Sequence, residues 1–256
     1  MLRLALLVLC LALVPSQGWG AQAFVQGKIC AVGATAANFI TCTFDSATTT
    51  GNIIVASSGY QTGTVTSITF TDDRSGSYAT IQSLYSSPQV TSGAALGVGT
   101  VGTAGTTAVT ATFTNSEQPD YYGICIAEFS GVNTSSIVDV STVNSQVTPT
   151  TGTDLITSGA IVSTADGEIY YGGVWNSQNV TGTLTKGTTY TLIAVQNTGT
   201  VQRGLCEYWQ QASAGSADAD ATTTNGDDDH ITFAVAMKTA VVTALRGGML
   251  LLGVGQ

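Results

Sequence analysis

Apolar and polar residues alternate with a period of two along most of this chain, and Gly, Asn, Asp and Ser interrupt the alternation at short intervals. The pattern predicts strands at residues 24–31, 38–44, 52–58, 64–70, 78–85, 94–99, 107–113, 121–129, 137–142, 154–163, 168–175, 190–196, 203–211 and 230–238. No stretch of similar length carries the spacing of an amphipathic helix. So many short strands predict an all-β fold of two antiparallel sheets packed as a jelly-roll-like sandwich, with an immunoglobulin-like sandwich as the alternative. Their number favours one large jelly-roll sandwich. Composition agrees: only 9% of residues are charged and 43% are hydrophobic, with Thr and Val suiting a pleated surface and Gly the turns.

The N-terminus stands apart from this pattern. Arg3 precedes an apolar run from Leu4 to Val14, and the small-residue sequence Ala21-Gln22-Ala23 follows, which is the layout of a secretory leader. The run is shorter than the roughly 20 apolar residues a membrane span requires, and Pro15, Gly18 and Gly20 interrupt it. Residues 1–23 are therefore read as a signal peptide, 24–239 as a single β-sandwich domain with no linker to divide it, and 240–256 as a C-terminal tail forming an edge strand or a disordered end. The expected location is extracellular, at a cell or virion surface.

Charge narrows the partners. The formal net charge of −9 becomes −10 once a leader containing Arg3 is removed, and Lys28, Arg74, Lys186, Arg203, Lys238 and Arg246 are scattered singly. A polyanion binder needs a basic stripe to neutralise phosphates, so nucleic acid is excluded, and anionic membrane surfaces are disfavoured likewise. The leader removed, Cys30, Cys42, Cys125 and Cys206 remain. An even number in an oxidising compartment reads as disulfides. Cys30 with Cys42 across a turn, leaving Cys125 with Cys206, is one of three possible pairings. A zinc site lacks both the Cys-x-x-Cys spacing and the histidines it needs.

The segments Thr50-Gly51-Asn52-Ile53-Ile54-Val55, Val65-Thr66-Ser67-Ile68 with the Asp72-Asp73 turn, Ala127-Glu128-Phe129-Ser130-Gly131-Val132, Ser163-Thr164-Ala165-Asp166-Gly167-Glu168-Ile169 and Ile231-Thr232-Phe233-Ala234-Val235-Ala236-Met237-Lys238 follow one another in an order that resembles a family of secreted bacterial and phage-associated β-sandwich proteins. The resemblance covers the chain between leader and tail. It implies architecture and an extracellular or virion-surface setting, and it brings no activity, since fold does not carry function.

Candidate chemistry is sparse. His230 is the single histidine and sits at a strand start, where the expectation is a solvated side chain. No Gly-x-Ser-x-Gly elbow offers a nucleophile, so no catalytic residue is assigned. Glu128, Glu168 and Glu207 lie in apolar strands. Glu128 and Glu207, in the similar contexts Ala-Glu-Phe and Cys-Glu-Tyr, could meet on neighbouring strands as the carboxylate pair of a glycosidase; solvated or individually satisfied carboxylates are the plainer reading. The densest acidic feature is Asp227, Asp228 and Asp229, with Asp218 and Asp220 upstream. Clustered hard oxygen ligands suit calcium, and a solvated acidic loop explains them equally well. Beyond that calcium ion no cofactor is expected.

Adjacent residues of a strand point to opposite faces, so each of the pairs Tyr121-Tyr122, Tyr170-Tyr171 and Tyr208-Trp209 offers one ring to the surface and one to the core. Tyr60, Tyr122, Tyr171, Trp175 and Trp209 are the candidates for a sugar-stacking platform. These features together favour a noncatalytic binding or adhesion module directed at carbohydrate. A self-assembling structural subunit of a surface layer, filament or virion is the alternative, and a polysaccharide-acting enzyme the third reading.

Overall fold

A computed structural model describes residues 21–74, 76–87, 90–147, 152–176, 182–197, 200–224 and 229–240. They form an all-β, antiparallel, jelly-roll-like sandwich, as the alternation predicts, but one built twice over. The first half contains β1 (Ala23–Val32), β2 (Phe39–Thr48), β3 (Ile53–Gln61), β4 (Thr64–Asp72), β5 (Tyr78–Ser87), β6 (Val90–Thr100), β7 (Gly105–Glu117) and β8 (Tyr121–Ser130). The second contains β9 (Val138–Val147), β10 (Thr153–Thr157), β11 (Ile161–Val162), β12 (Ile169–Asn176), β13 (Thr183–Lys186), β14 (Thr191–Gln196), β15 (Gly204–Gln210), β16 (Ser216–Ala217), β17 (Asp220–Thr224) and β18 (Asp229–Met237).

In the first half a five-stranded sheet of order β1-β8-β3-β6-β5 packs against a three-stranded sheet β2-β7-β4. In the second, β9-β18-β12-β15-β14 packs against β10-β17-β13. Strand for strand the two orders are the same once the short ribbon β11-β16, present only in the second half, is set aside. The two five-stranded sheets then stack face to face, with β3 over β12, β6 over β18, β8 over β15 and β1 over β14 and β15. Each half presents the same strands to the other, which is the layout of a two-fold, self-complementary interface. The result is four layers, and both central sheets are buried on both faces. Ile54, Ala56, Ile124 and Ile126 fill the first roll, Ile53, Val55, Ala127 and Phe129 face the second roll, and Val174, Leu205 and Ala234 fill the second roll.

Trp175 closes the interface between the rolls. A methyl group added at Gly59 of β3, Gly123 of β8 or Gly204 of β15 would lie 2.5–2.6 Å from its ring carbons, so the indole seats only because three strands lack side chains there. Its Nε1–H donates to Ser57 Oγ at 3.1 Å, and that hydroxyl also bonds the Tyr171 hydroxyl at 2.7 Å. A buried indole N–H and phenol thus find partners inside the core.

Both disulfides cross layers. Cys30–Cys42 ties β1 of the central sheet to β2 of the outer one, and Cys125–Cys206 ties β8 of the first roll to β15 of the second. The first pair therefore joins two sheets and not the two arms of one ladder.

Three further differences from the sequence reading have physical causes. The strand predicted at 154–163 is broken into β10 and β11 by a turn in which Gly159 takes a φ of +79°, a conformation that favours glycine. β17 was not predicted, because Asp220-Ala221-Thr222-Thr223-Thr224 has no large apolar residue to mark an inward face, nor was β13, whose four residues with the single apolar Leu184 are too short to show a period. Residues 22 and 23, assigned to the leader, belong to the fold: Ala23 opens β1 opposite Ser130, and the buried Gln22 side chain bonds two backbone groups of the second roll. The tail 241–256 lies outside the described residues, while Thr239 bridges to Val132 at its foot.

The cross-links generate a prediction. Constraining the unfolded chain stabilises more for the longer loop, and the loops here are 81 and 12 residues. A Cys125→Ala, Cys206→Ala double variant is expected to lose about 4 kcal/mol and a Cys30→Ala, Cys42→Ala variant about 3 kcal/mol by this chain-entropy argument, measured as unfolding free energies in urea.

Candidate functional site

The alternation of β15 sends Cys206 and Tyr208 into the interface between the rolls and Leu205, Glu207 and Trp209 towards the interior of the second roll. At the Trp209 end the outer sheet is replaced by the β11-β16 ribbon, and the packing opens into a cleft of about 190 Å³ lined by Thr189, Tyr190, Trp209, Ser216, Ala217, Asp218 and Asp220. The ribbon that distinguishes the second roll from the first therefore supplies one wall of its cleft.

Trp209 is half-buried, its ring 5.6 Å from that of Tyr170 and 6.2 Å from that of Tyr190. Tyr190 is 3% exposed, and its hydroxyl is buried without a hydrogen-bond partner. Burial and the nearby Glu207, Asp218 and Asp220 carboxylates hold that phenol protonated well above its usual range. Asp218 is exposed and accepts from Thr157 Oγ1 at 2.9 Å. Asp220 is half-buried, and burial and then Asp218 raise its pKa, against Lys186. Behind them Glu207 is fully buried; its Oε2 accepts from the Gly187 N–H at 3.0 Å and its Oε1 has no partner. Desolvation pushes its carboxyl up to about 8, opposed by the Gly187 hydrogen bond and reinforced by Asp220. The cleft thus offers one aromatic face, two carboxylates and a buried hydroxyl, backed by an acid that is neutral at pH 7.

Of the other aromatic candidates, Tyr60, Tyr122, Tyr171 and Trp175 are all buried and cannot form a surface platform. Tyr60 and Tyr122 pack edge-on to Phe113 inside the first roll, and Tyr171 and Trp175 lie between the rolls. The rule that one member of an adjacent pair faces solvent fails because both central sheets are covered on both sides; Tyr170 and Tyr171 are each fully buried.

The carboxylate pair proposed from sequence does not form. Glu128 points into the first roll, where the side chains of Gln26 and Asn52 and the Thr49 N–H donate to it at 2.7–2.8 Å. Glu207 points into the second roll, so both central sheets stand between them. Glu168 is buried at the far end of the second roll, where burial and Asp139 push its carboxyl up to about 7. His230 is also buried, not solvated; neither ring nitrogen has a partner, and desolvation lowers its pKa to about 4. Cys30, Cys42, Cys125 and Cys206 are in disulfides and offer no thiol.

Asp227 and Asp228 lie outside the described residues. Asp229 opens β18 opposite Val147 and is nearly buried. Among the described residues no group of three or more His, Cys, Asp or Glu side chains is placed to hold a metal ion. Sequence reasoning named Trp209, Asp218 and Asp220 separately, and it missed Tyr190 and the ribbon that gathers them.

No family model matches the chain, and no curated protein matches it. Among solved structures, oxalate decarboxylase from Bacillus subtilis aligns at 7% identity over 90% of this chain and 81% of that one, with a TM-score of 0.14; so low a score carries no argument about fold or activity. By its own geometry the chain is a jelly-roll sandwich of two stacked rolls with an acidic, aromatic cleft.

The buried acid sets a pH dependence. A folded pKa near 8 against an ordinary 4.5 means that the folded chain keeps a proton the unfolded chain has released, so the contribution of Glu207 to stability falls as pH rises from about 4.5 to about 8 and is level above it. Glu207→Gln is neutral at every pH. It is expected to match the parent near pH 4 and to exceed it at pH 9 in urea unfolding, while the contributions of Glu168 and of His230, which are opposite in sign, are common to both proteins.

Proposed function

We propose that the protein is a secreted, noncatalytic module that binds carbohydrate, and that Trp209 is the floor of its site. The observation that carries this reading is the cleft itself: the exposed part of an indole stacks on the apolar face of a sugar ring, while Asp218 and Asp220 accept from its hydroxyls through strong charge-assisted hydrogen bonds. A volume of about 190 Å³ is below that of pockets that enclose a drug-sized ligand, so the cleft takes one sugar unit, at a chain end or in a branch. Two disulfides suit an oxidising compartment, and no helix among the described residues is long and apolar enough to cross a membrane.

The test is binding of the purified protein to a glycan and polysaccharide panel, with calcium and again with a chelator. Binding that ignores the chelator, drops about tenfold in Asp218→Asn and drops at least as far in Trp209→Ala is expected; tenfold is about 1.4 kcal/mol. Calcium-dependent binding unaffected by either substitution moves the site to the Asp227 loop. No binding in either condition removes the carbohydrate reading and leaves the self-assembling structural role.

A further inference from the structure

The cleft at Trp209 holds an excess of negative charge. Among the described residues that line it, Asp218 and Asp220 are acidic and none is basic. Asp220 is half-buried, and burial and then Asp218 make it harder to ionise. Lys186 acts on it from outside the lining, and its ammonium group is engaged with Gly187 O at 3.0 Å. Glu207, behind the wall, stays protonated at neutral pH through desolvation, so it neither adds to the charge nor offsets it. A cation brought by a ligand would be stabilised here, because an opposite charge favours the ionised form of both aspartates.

Tyr190 lines the same cleft at 3% exposure, and its hydroxyl is buried without a hydrogen-bond partner. The charges of Glu207, Asp218 and Asp220 all act on that hydroxyl, so its oxygen lies among the acids. Leaving a buried hydroxyl unpaired costs about 1–3 kcal/mol, which a ligand group in the cleft would recover. The Tyr190 and Trp209 rings are 6.2 Å apart and inclined at 56°. Aromatic faces so placed beside carboxylates attract an ammonium group through the ring quadrupole.

We infer that the sugar unit taken by this cleft is an amino sugar with a free, protonated amine. This rests on the carbohydrate reading above and names the class of sugar. An ammonium group offers three N–H donors, and the cleft holds three acceptors for them in the Asp218 and Asp220 carboxylates and the Tyr190 oxygen, while Trp209 takes the apolar face of the ring. Acetylation of an amine removes its charge and its attraction to aromatic faces, so the acetylated sugar loses the part of the fit that the acids supply. Uronic acids and sulfated sugars set a negative charge against two carboxylates and are rejected.

The experiment is titration calorimetry of the purified protein, at pH 6 and physiological salt, with three oligomers of one backbone and equal length that differ in one ring substituent: an ammonium group (glucosamine), an acetamide (N-acetylglucosamine) or a hydroxyl (glucose). The glucosamine oligomer is expected to bind roughly tenfold more tightly than the other two. That preference is expected to be lost in Asp218→Asn and in Asp220→Asn, to shrink in Tyr190→Phe, and to persist in Asp120→Asn, an exposed acid between β7 and β8 of the first roll. Equal affinities for the three oligomers overturn the inference and leave the carbohydrate reading standing. An equal loss in Asp120→Asn shows attraction to the net charge alone and also overturns it. Binding of none of the three overturns it as well, and the glycan panel then decides the carbohydrate reading separately.

Discussion

Every layer of this protein depends on how closely the two central sheets approach one another at Trp175. The indole occupies space that side chains at Gly59, Gly123 and Gly204 would otherwise fill, and it is anchored through Ser57 to Tyr171. Those residues come from both rolls, so neither roll can complete its inner face alone. Close-packed interiors tolerate little change in volume, and a side chain at any of the three glycines displaces the indole from its seat or shifts the strand that carries the new side chain. The disulfide from Cys125 to Cys206 crosses the same interface and holds together what the indole fills.

Double burial of the central sheets also explains why the acids behave as they do. A carboxylate on the outward face of an ordinary sandwich would be in water. Here the corresponding face is the interior of a roll, so each buried glutamate must be satisfied locally or remain protonated. Glu128 takes the first course, with three donors around it. Glu207 takes the second, with one donor and an unbonded oxygen. The contrast is one of hydrogen bonding, since both are fully buried.

How far the sequence could be read follows from the same layering. Outer strands such as β2 and β4 alternate between buried and exposed positions, and period-two reasoning finds them and their inward faces. β3, β12 and β18 are buried at every position; their apolar runs were legible as strands, but nothing in them says that a second sheet covers the other side. That one omission turned Tyr60, Tyr122, Tyr171 and Trp175 into surface candidates and hid the pairing of the two rolls. The cleft was legible only in pieces. Trp209 and the aspartates lie nine and eleven residues apart, and it takes a two-residue ribbon, too short for any periodicity, to bring them together.

The ribbon β11-β16 has a consequence for how such a molecule can change. When two identical subunits associate about a two-fold axis, every insertion appears in both, and any loop grown near the axis must tolerate its own rotated copy. Joining the two rolls in one chain lifts that restriction. One copy can remain a plain scaffold that supplies the covering sheet, while the other accepts an irregular insertion, a polar interior and an open end without the pair losing its fit.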